Sequence, residues 1–381
     1  MQQKFYGENI RLGMIGGGQL GRMFIQEAIN FDVQVHVLDG DAQAPCALIA
    51  HSFTQGDINN FEALYQFGLD KDVLTVEIEN VNIEALEALE KLGKKIFPQP
   101  RVLKIIKDKG VQKQFYVDHQ LPTSAFKFIN QPSDLESETS FLPFVQKLRT
   151  GGYDGKGVQA MKQESDFAKA FDAPSIIEAF VPFEKEISVI VARNENGEMI
   201  SYPSVECEFN EEANLVELLF APANIDPSTE QDAQLLAKKV IEALDMVGIL
   251  AVEMFLTKDG SLLINEIAPR PHNSGHHTIE CNVTSQFEQH LRSVLNLPLG
   301  STKIIQAGAM INLLGEKGYQ GAVVYEKLNE ILSWEGVHPH LYGKKSTKDF
   351  RKMGHVTIAG NEMEQVIQKA KLVLSTLKVK A

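Results

Sequence analysis

Apolar and polar positions in the first hundred residues alternate between two periods. Residues 11–15 form a short apolar run that ends in Gly16-Gly17-Gly18. Leu20, Met23, Phe24 and Ala28 then recur at helical spacing, and residues 33–38 read as the next strand. Residues 73–78 are again β-rich, followed by Leu86, Leu89 and Leu92 at helical spacing and a strand at 95–97. Repeated βα units predict an open parallel sheet. Pro98 and Pro100 break this rhythm, and from Lys107 short strands (125–129, 144–148, 176–180, 187–192) surround a glycine-rich loop. From Ile200 a third region carries a helix at 230–244, a hairpin over 250–267, further strands and a helix at 363–377. The expected architecture is α/β: an N-terminal open parallel βα unit (1–105), a small α+β unit (106–195) and a C-terminal α+β unit (196–381).

Composition supports a folded enzyme. Of 381 residues 44% are hydrophobic and 23% charged, enough apolar surface for real cores. The net charge of −13 argues against a nucleic-acid partner, which needs a basic face. Cys46, Cys207 and Cys281 lie far apart, as reduced thiols do in a reducing compartment. The opening Met1-Gln2-Gln3-Lys4-Phe5-Tyr6 has no signal-peptide core, and no apolar run reaches the ~18 residues of a membrane span. The expectation is a cytoplasmic protein with no membrane partner.

Gly16-x-Gly18-x-x-Gly21, between a strand and a helix, fits the dinucleotide fingerprint, and Asp39 ends the second strand near where a ribose-binding acid belongs. A helix N-terminus holds any phosphate, and a tight βα turn alone also needs such glycines. The motif therefore points to a phosphate or ribose group more than to NAD. Gly151-Gly152-Tyr153-Asp154-Gly155-Lys156-Gly157 is more informative: its glycines let backbone fold over phosphate oxygens while Lys156 adds charge. No Gly-Lys-Ser/Thr follows, so it is not a Walker loop, and a plain hairpin turn does not explain Tyr-Asp between the glycines. Lys147 lies on an apolar strand, Val145-Gln146-Lys147-Leu148. Alone it reads as a snorkelling surface lysine; beside this loop it reads as a phosphate contact.

The strongest chemical signal is the pair of segments Ala251-Val252-Glu253-Met254-Phe255 and Leu263-Ile264-Asn265-Glu266-Ile267. Asp259-Gly260 is a two-residue turn signal, and pairing about it sets Lys258 opposite Ser261 and Glu253 opposite Glu266. Carboxylates so opposed lie ~5 Å apart at Cβ and repel unless a cation joins them. A hard ion, Mg²⁺ or alternatively Mn²⁺, taking both carboxylates and substrate phosphates resolves this. The competing readings are a bulge that separates the two, or pairing of one glutamate with Arg or Lys.

Beyond the hairpin, Ala268-Pro269-Arg270-Pro271-His272-Asn273-Ser274-Gly275-His276-His277 offers three histidines. Pro271 and Gly275 oppose the helix that would align His272 with His276, so a substrate-binding loop opening with Arg270 fits better than zinc. Tyr342-Gly343-Lys344-Lys345-Ser346-Thr347-Lys348 and Arg351-Lys352-Met353-Gly354-His355 concentrate positive charge in an acidic chain. They form either a solvated basic loop or an anion pocket.

Several of these segments together (Gly16–Met23 as Gly-Gly-Gly-Gln-Leu-Gly-Arg-Met, Thr150 with the Tyr-Asp loop, Glu178-Ala179-Phe180-Val181, Asn265-Glu266-Ile267-Ala268-Pro269-Arg270, His272-Asn273-Ser274-Gly275-His276 and Arg351-Lys352-Met353-Gly354-His355) closely resemble the N5-carboxyaminoimidazole ribonucleotide synthetases, ATP-grasp ligases of purine synthesis. The resemblance runs in order along nearly the whole chain. It implies an ATP-grasp fold whose middle unit is a lid, ATP bound between the middle and C-terminal units, and commonly a homodimer. It also implies that Lys109 and Lys147 touch ATP phosphates while Gly152, Tyr153, Asp154, Gly155, Lys156, Gly157 and Val158 close over them. Glu178, Ala179, Phe180 and Val181 would hold adenine, Glu186 the ribose hydroxyls, and Asn265 would join the nucleotide site. Glu253 and Glu266 would bind Mg²⁺. Gln19, Leu20, Glu79, Tyr153, Asp154, Arg270, His272, Lys344, Arg351 and Lys352 would form the aminoimidazole ribonucleotide side. Two departures stand out: Lys109 replaces a usual arginine, and Glu206-Cys207-Glu208-Phe209 follows Tyr202-Pro203 where many relatives have Glu-Asn-x-His, so no contact from that histidine is carried over.

The reaction so implied has two steps. Bicarbonate attacks the γ-phosphate of ATP, and the exocyclic amine of aminoimidazole ribonucleotide captures the resulting carboxyphosphate, or CO₂ released from it. Asp154, Arg270 and His272 are the catalytic candidates. The rival readings are another ATP-grasp ligase such as a formate-dependent glycinamide ribonucleotide transformylase, an NAD-dependent oxidoreductase built on the first unit, and a nucleotide sensor without turnover.

Overall fold

In the computed structural model, which describes residues 5–152, 157–210 and 215–381, the chain opens with a five-stranded parallel sheet. Its strands are β1 (Gly7–Ile15), β2 (Val33–Asp39), β3 (Ser52–Gln55), β4 (Val73–Val76) and β5 (Lys95–Phe97), in the order β3-β2-β1-β4-β5. Helices α1 (Gln19–Asn30), α2 (Phe61–Gly68) and α3 (Ile83–Lys91) make the crossovers. Asn60 and Asn82 start α2 and α3 by accepting the N–H groups of Ala63 and Ala85, each satisfying one of the otherwise unpaired first-turn donors. β4 is buried along its whole length, as expected of a central parallel strand. The buried face of α1, with Met23 and Phe24, shares one core with Phe287, Leu291 and Val294 from the C-terminal half. This contact ties α1 to the helix Gln286–Val294 of the C-terminal half.

After β5 the chain leaves this sheet. Helices α4 (Pro100–Lys107) and α5 (Lys109–Asp118) contribute Val102, Ile106, Phe115 and Tyr116 to a core beneath a large second sheet. Asp108 caps α5 through the N–H groups of Gly110 and Val111 and also pairs with Arg149 at 2.6 Å. A small antiparallel sheet follows, with strands β6 (Phe126–Ile129), β7 (Phe144–Leu148), β8 (Val158–Met161) and β9 (Ser175–Ala179) in the order β6-β9-β7-β8. Its own core is Ile129, Leu135, Phe144, Met161 and Ile177.

The large sheet has nine strands. They are β10 (Phe183–Arg193), β11 (Met199–Ser201), β12 (Val205–Asn210), β13 (Leu215–Ala221), β14 (Gly248–Thr257), β15 (Leu262–Ala268), β16 (Ala307–Leu314), β17 (Val337–Leu341) and β18 (Lys352–Gly360). The main path is β15-β14-β10-β12-β13-β16-β18-β17, with β11 paired to β10. Helices α6 (Pro227–Ala243), α7 (Thr278–Cys281), α8 (Gln286–Val294) and α9 (Met363–Thr376) pack around it. β10 falls within the segment 106–195 that the sequence groups with the small unit, yet it pairs along its length with β14. Within its buried run Glu186–Ala192, Ile187, Val189 and Val191 belong to the large core, so the small sheet ends at β9. Cys46, Cys207 and Cys281 are free and buried. Among the described residues no helix is long and apolar enough to cross a membrane.

Candidate active site

β14 and β15 pair so that Glu253 stands directly opposite Glu266, as the sequence predicts, but by a different route. The turn holds three residues, not two: Thr257 N–H donates to Ser261 O at 3.0 Å, and Gly260 takes φ 83°. That shifts the register by one, giving Leu256 opposite Leu262 and Met254 opposite Ile264. A bulge at Asn265 then shifts it back. The bulge does not separate the glutamates. It re-aims the strand so that consecutive side chains, Asn265 and Glu266, both bind partners in the cleft. Glu266 pairs with the Lys109 ammonium. Asn265 accepts from Lys147 Nζ at 2.9 Å and donates to Glu186 Oε1 at 3.4 Å.

Charge in this corner is unevenly offset. Lys109 draws Glu266 down to about 2 against the effect of burial. Burial, then the charges of Glu266 and Glu186, push Glu253 well above the usual carboxylate range. Burial raises Glu186 to about 7, the Asn265 hydrogen bond opposing it and Glu266 adding to it. His272 Nε2 lies 3.6 Å from Glu253. Among the described residues no group of three or more His, Cys, Asp or Glu is arranged to hold an ion alone. Two opposed carboxylates with surplus negative charge do fit a hard divalent ion that completes its shell with phosphate oxygens and water.

A second buried network lies next to it. Glu178, at the end of β9, accepts from Lys113 at 2.8 Å, Lys147 at 3.1 Å and the Ser124 hydroxyl at 2.8 Å. Burial opposes ionisation there, but Lys147 and Lys113 bring Glu178 down to about 2. Ala179, Phe180 and Val181 continue from Glu178 toward β10, and Phe180 is half exposed. Val158 is directly opposite Lys147, and Gly157 O accepts from Leu148 N–H, so the glycine-rich loop returns to the strand beside Lys147. Tyr153, Asp154, Gly155 and Lys156 lie outside the described residues; Gly152 is the last residue described before them.

The other wall comes from the first sheet and the C-terminal strands. Gly17 N–H donates to Asp39 Oδ2 at 2.6 Å, and Leu20 N–H donates to Glu77 Oε1 at 3.1 Å. The chain's own carboxylates thus engage two of the backbone donors at this end of α1. Leu20 is a core residue whose amide is engaged, so it supports the site from behind, whereas Gln19 is partly exposed. Glu79 pairs with Arg270 at 2.8 Å. Lys344 Nζ donates to Lys352 O at 2.8 Å, and Arg351 donates to Ser346 O at 2.8 Å. Lys352 is close enough to Glu253 to oppose the rise of its pKa, which ties the basic segment to the carboxylate corner.

Three residues escaped the sequence reading. Glu77 is masked by Glu79 two positions on. Lys113, 1% exposed, lies on a helix with no periodic signal for a buried ammonium. Arg22 lies next to the basic segment, 3.7 Å from where a Cβ on Gly343 would stand. Its only sequence cue is a position one residue beyond the glycine motif.

Comparison with known proteins agrees with this layout. Residues 10–107 match the ribonucleotide synthetase preATP-grasp domain, 114–287 the ATP-grasp domain, and 308–369 the phosphoribosylaminoimidazole carboxylase C-terminal domain. The N5-carboxyaminoimidazole ribonucleotide synthase of Bacillus subtilis is 36% identical over 94% of this chain and 93% of its own. The chloroplastic phosphoribosylaminoimidazole carboxylase of Vigna aconitifolia is 36% identical over 93% of this chain, which spans 65% of that longer protein. The crystal structure of N5-carboxyaminoimidazole ribonucleotide synthetase from Thermotoga maritima superposes with a TM-score of 0.89 at 42% identity, covering 98% of this chain and 99% of that one. With its fold and order of units matched over nearly its full length, the chain belongs to the N5-carboxyaminoimidazole ribonucleotide synthase family of ATP-grasp ligases.

Proposed function

We propose that this chain carboxylates 5-aminoimidazole ribonucleotide with bicarbonate at the expense of ATP, giving N5-carboxyaminoimidazole ribonucleotide, ADP and phosphate in de novo purine biosynthesis. The observation that carries this reading is the opposed Glu253–Glu266 pair, flanked by Lys109 and Lys147 on one side and within electrostatic reach of Lys352 on the other. In this reading an acyl phosphate forms at the first group and is captured by an amine held by the second.

In this reading a bicarbonate oxygen attacks the γ-phosphorus of ATP, the bond to the β-bridging oxygen breaks, and ADP leaves. Lys109 and Lys147 exchange their carboxylate and amide partners for phosphate oxygens and neutralise charge that develops there. Mg²⁺, or Mn²⁺ in its place, held by Glu253 and Glu266 would supply further neutralisation of the phosphates. Glu178, Ala179, Phe180 and Val181 receive adenine, Glu186 the ribose, and Asn265 orients Lys147. Residues 152–158 exclude water from the carboxyphosphate. Gln19, Glu79, Tyr153, Arg270, Lys344, Arg351 and Lys352 hold the ribonucleotide. Its exocyclic amine attacks the carboxyl carbon, phosphate departs, and the amine proton passes to Asp154, with His272 as the second candidate. The proposed units are 1–105, 106–195 and 196–381, with β10 structurally part of the large sheet. A cytoplasmic homodimer is the proposed working form, supported by family resemblance and by the acidic, disulfide-free chain.

The test is coupled ADP release with aminoimidazole ribonucleotide, bicarbonate and Mg²⁺ each omitted in turn. All three are expected to be required. Equal rates with formate replacing bicarbonate would transfer the chain to a different acyl donor.

A further inference from the structure

A buried stack of histidines lies behind the basic segment and takes no part in the reaction as proposed. His340 on β17 and His355 on β18 are direct cross-strand neighbours, their rings 4.4 Å apart and near parallel at 11°. His276 also packs on His355, with centroids 4.7 Å apart. His340 Nε2 meets Glu280 Oε1 at 2.6 Å. His355 is fully buried, and its Nδ1 shares a hydrogen bond of 3.0 Å with the Tyr342 hydroxyl. Burial, and after it the neighbouring imidazoles, hold His276 and His355 far below the usual histidine range, so both rings are neutral. Neutral rings add nothing to the positive field of Lys352 at the start of β18.

The stack touches both ends of the ribonucleotide side. Toward the basic end, Tyr342 N–H donates to Met353 O at 3.0 Å and Lys344 Nζ to Lys352 O at 2.8 Å, so residues 342–344 are stitched to the start of β18. Gly354 permits this approach, because a Cβ there would stand 2.6 Å from His340 O. Toward the other end, Gln286 Nε2 is 2.9 Å from His276 Nδ1. The same amide clasps the backbone of His272, accepting its N–H at 2.9 Å and donating to its carbonyl at 2.8 Å.

We propose that His355 is a positioning residue for the ribonucleotide: by joining Tyr342 to the His276–Gln286 pair it fixes the span between Lys344 and Lys352 at one end and Arg270 and His272 at the other. A ligand held by a phosphate and obliged to present an amine is sensitive to that span, because small misplacements are costly to both binding and attack. ATP, held at Lys109 and Lys147, is not. The inference rests on the function proposed above.

The test is steady-state kinetics on the full chain, with ribonucleotide and ATP varied in turn, for the parent, His355→Gln, His355→Asn and Tyr342→Phe. An asparagine amide reaches the place of Nδ1 and keeps the bond to Tyr342, whereas glutamine does not. His355→Gln is expected to raise KM for the ribonucleotide about tenfold, the equivalent of one well-placed hydrogen bond, while KM for ATP holds and His355→Asn, which keeps the Tyr342 bond but not the ring packed on His276, recovers part of the loss. Parallel rises in both KM values, no rise, or equal values for the Gln and Asn variants would overturn the proposal. Should His355→Gln fail to fold, Tyr342→Phe removes only the hydroxyl and decides in the same way: a selective rise supports the proposal and an unchanged KM overturns it. A parent that releases ADP without ribonucleotide overturns the proposed function itself and this inference with it, so the two failures are read from different arms.

Discussion

The Glu77 carboxylate accepts the backbone N–H of Leu20 at 3.1 Å, in the first turn of α1. With Asp39 on the Gly17 N–H, it takes donors that a Gly-x-Gly-x-x-Gly loop otherwise offers to a dinucleotide. The glycines are required all the same. A Cβ on Gly18 would stand 2.4 Å from Glu77 Oε1, so the loop is shaped around a carboxylate of its own chain.

Gly18→Ala is therefore expected to destabilise the fold by about 1–3 kcal/mol, the usual range for overpacking a closed site. Thermal unfolding measures it. In the same assay millimolar NAD should leave the parent's melting temperature unchanged. A clear upward shift would mean that Glu77 yields its place to a dinucleotide.

The opposed glutamates predict opposite effects on stability and turnover. Glu253→Gln removes a carboxyl that burial, and after it the charges of Glu266 and Glu186, make costly to ionise, so the ligand-free protein should melt at a higher temperature than the parent. Glu266→Gln leaves Lys109 without its carboxylate partner and should melt lower. Both should lose nearly all ADP release, because each removes one of the two carboxylates proposed to hold Mg²⁺. A Glu266→Gln protein that retains most of the parent's turnover would refute the metal assignment.

Glu178 predicts a pH dependence of stability. Its folded pKa, about 2, lies below the ordinary value of 4.5. Its contribution is thus complete above pH 4.5 and is lost as pH falls toward 2. At 1.36 kcal/mol per unit this amounts to roughly 3 kcal/mol. Lys113 acts in the opposite sense: burial and the neighbouring lysines lower it to about 8, so its cost is relieved as pH rises from 8 toward 10.5. The asymmetry arises because one carboxylate is shared by two ammonium groups. Glu178→Gln should lower stability at neutral pH by about 3 kcal/mol, as breaking a buried pair does, and should flatten the acid limb between pH 4.5 and 2. Denaturant unfolding across that range is the check, and an unchanged acid limb would contradict it.

The parts of the site legible in the sequence were those with a local signal. Glu253 and Glu266 were readable because alternating apolar neighbours bracket them, yet their register came out right through two offsets that cancel, a longer turn and the Asn265 bulge. Neither offset has a signature strong enough to override Asp-Gly. β3 is unreadable because Ser-Phe-Thr-Gln is a polar edge strand, and the pairing of β10 with β14 is unreadable because strand patterning does not encode the partner. Glu77, Lys113 and His355 act through partners 57, 65 and 13 residues away, and no local period reports such contacts.

Arg351 and Lys344 should serve the ribonucleotide and not ATP. Arg351 is tethered before any ligand arrives, its Nη1 donating to Ser346 O at 2.8 Å and to Ser346 Oγ at 3.2 Å, so little ordering remains to be done on binding. Lys344 is likewise fixed on Lys352 O, and Arg22 adds a third cation beside Gly343. Lys344 and Arg351 are far in sequence from the nucleotide lysines, Lys109 at the start of α5 and Lys147 on β7. A phosphate held by arginine gains charge-assisted, often bidentate hydrogen bonds of about 1.5–3 kcal/mol each. The 5′-phosphate does not react, so the contact is equally strong in the ground and transition states, and its loss appears in KM more than in kcat. Arg351→Ala is expected to raise KM for aminoimidazole ribonucleotide by roughly one to two orders of magnitude, with KM for ATP nearly unchanged. Varying each substrate in turn decides the point. If the ATP value rises instead, the basic segment serves the triphosphate, and the two halves of the proposed site exchange roles.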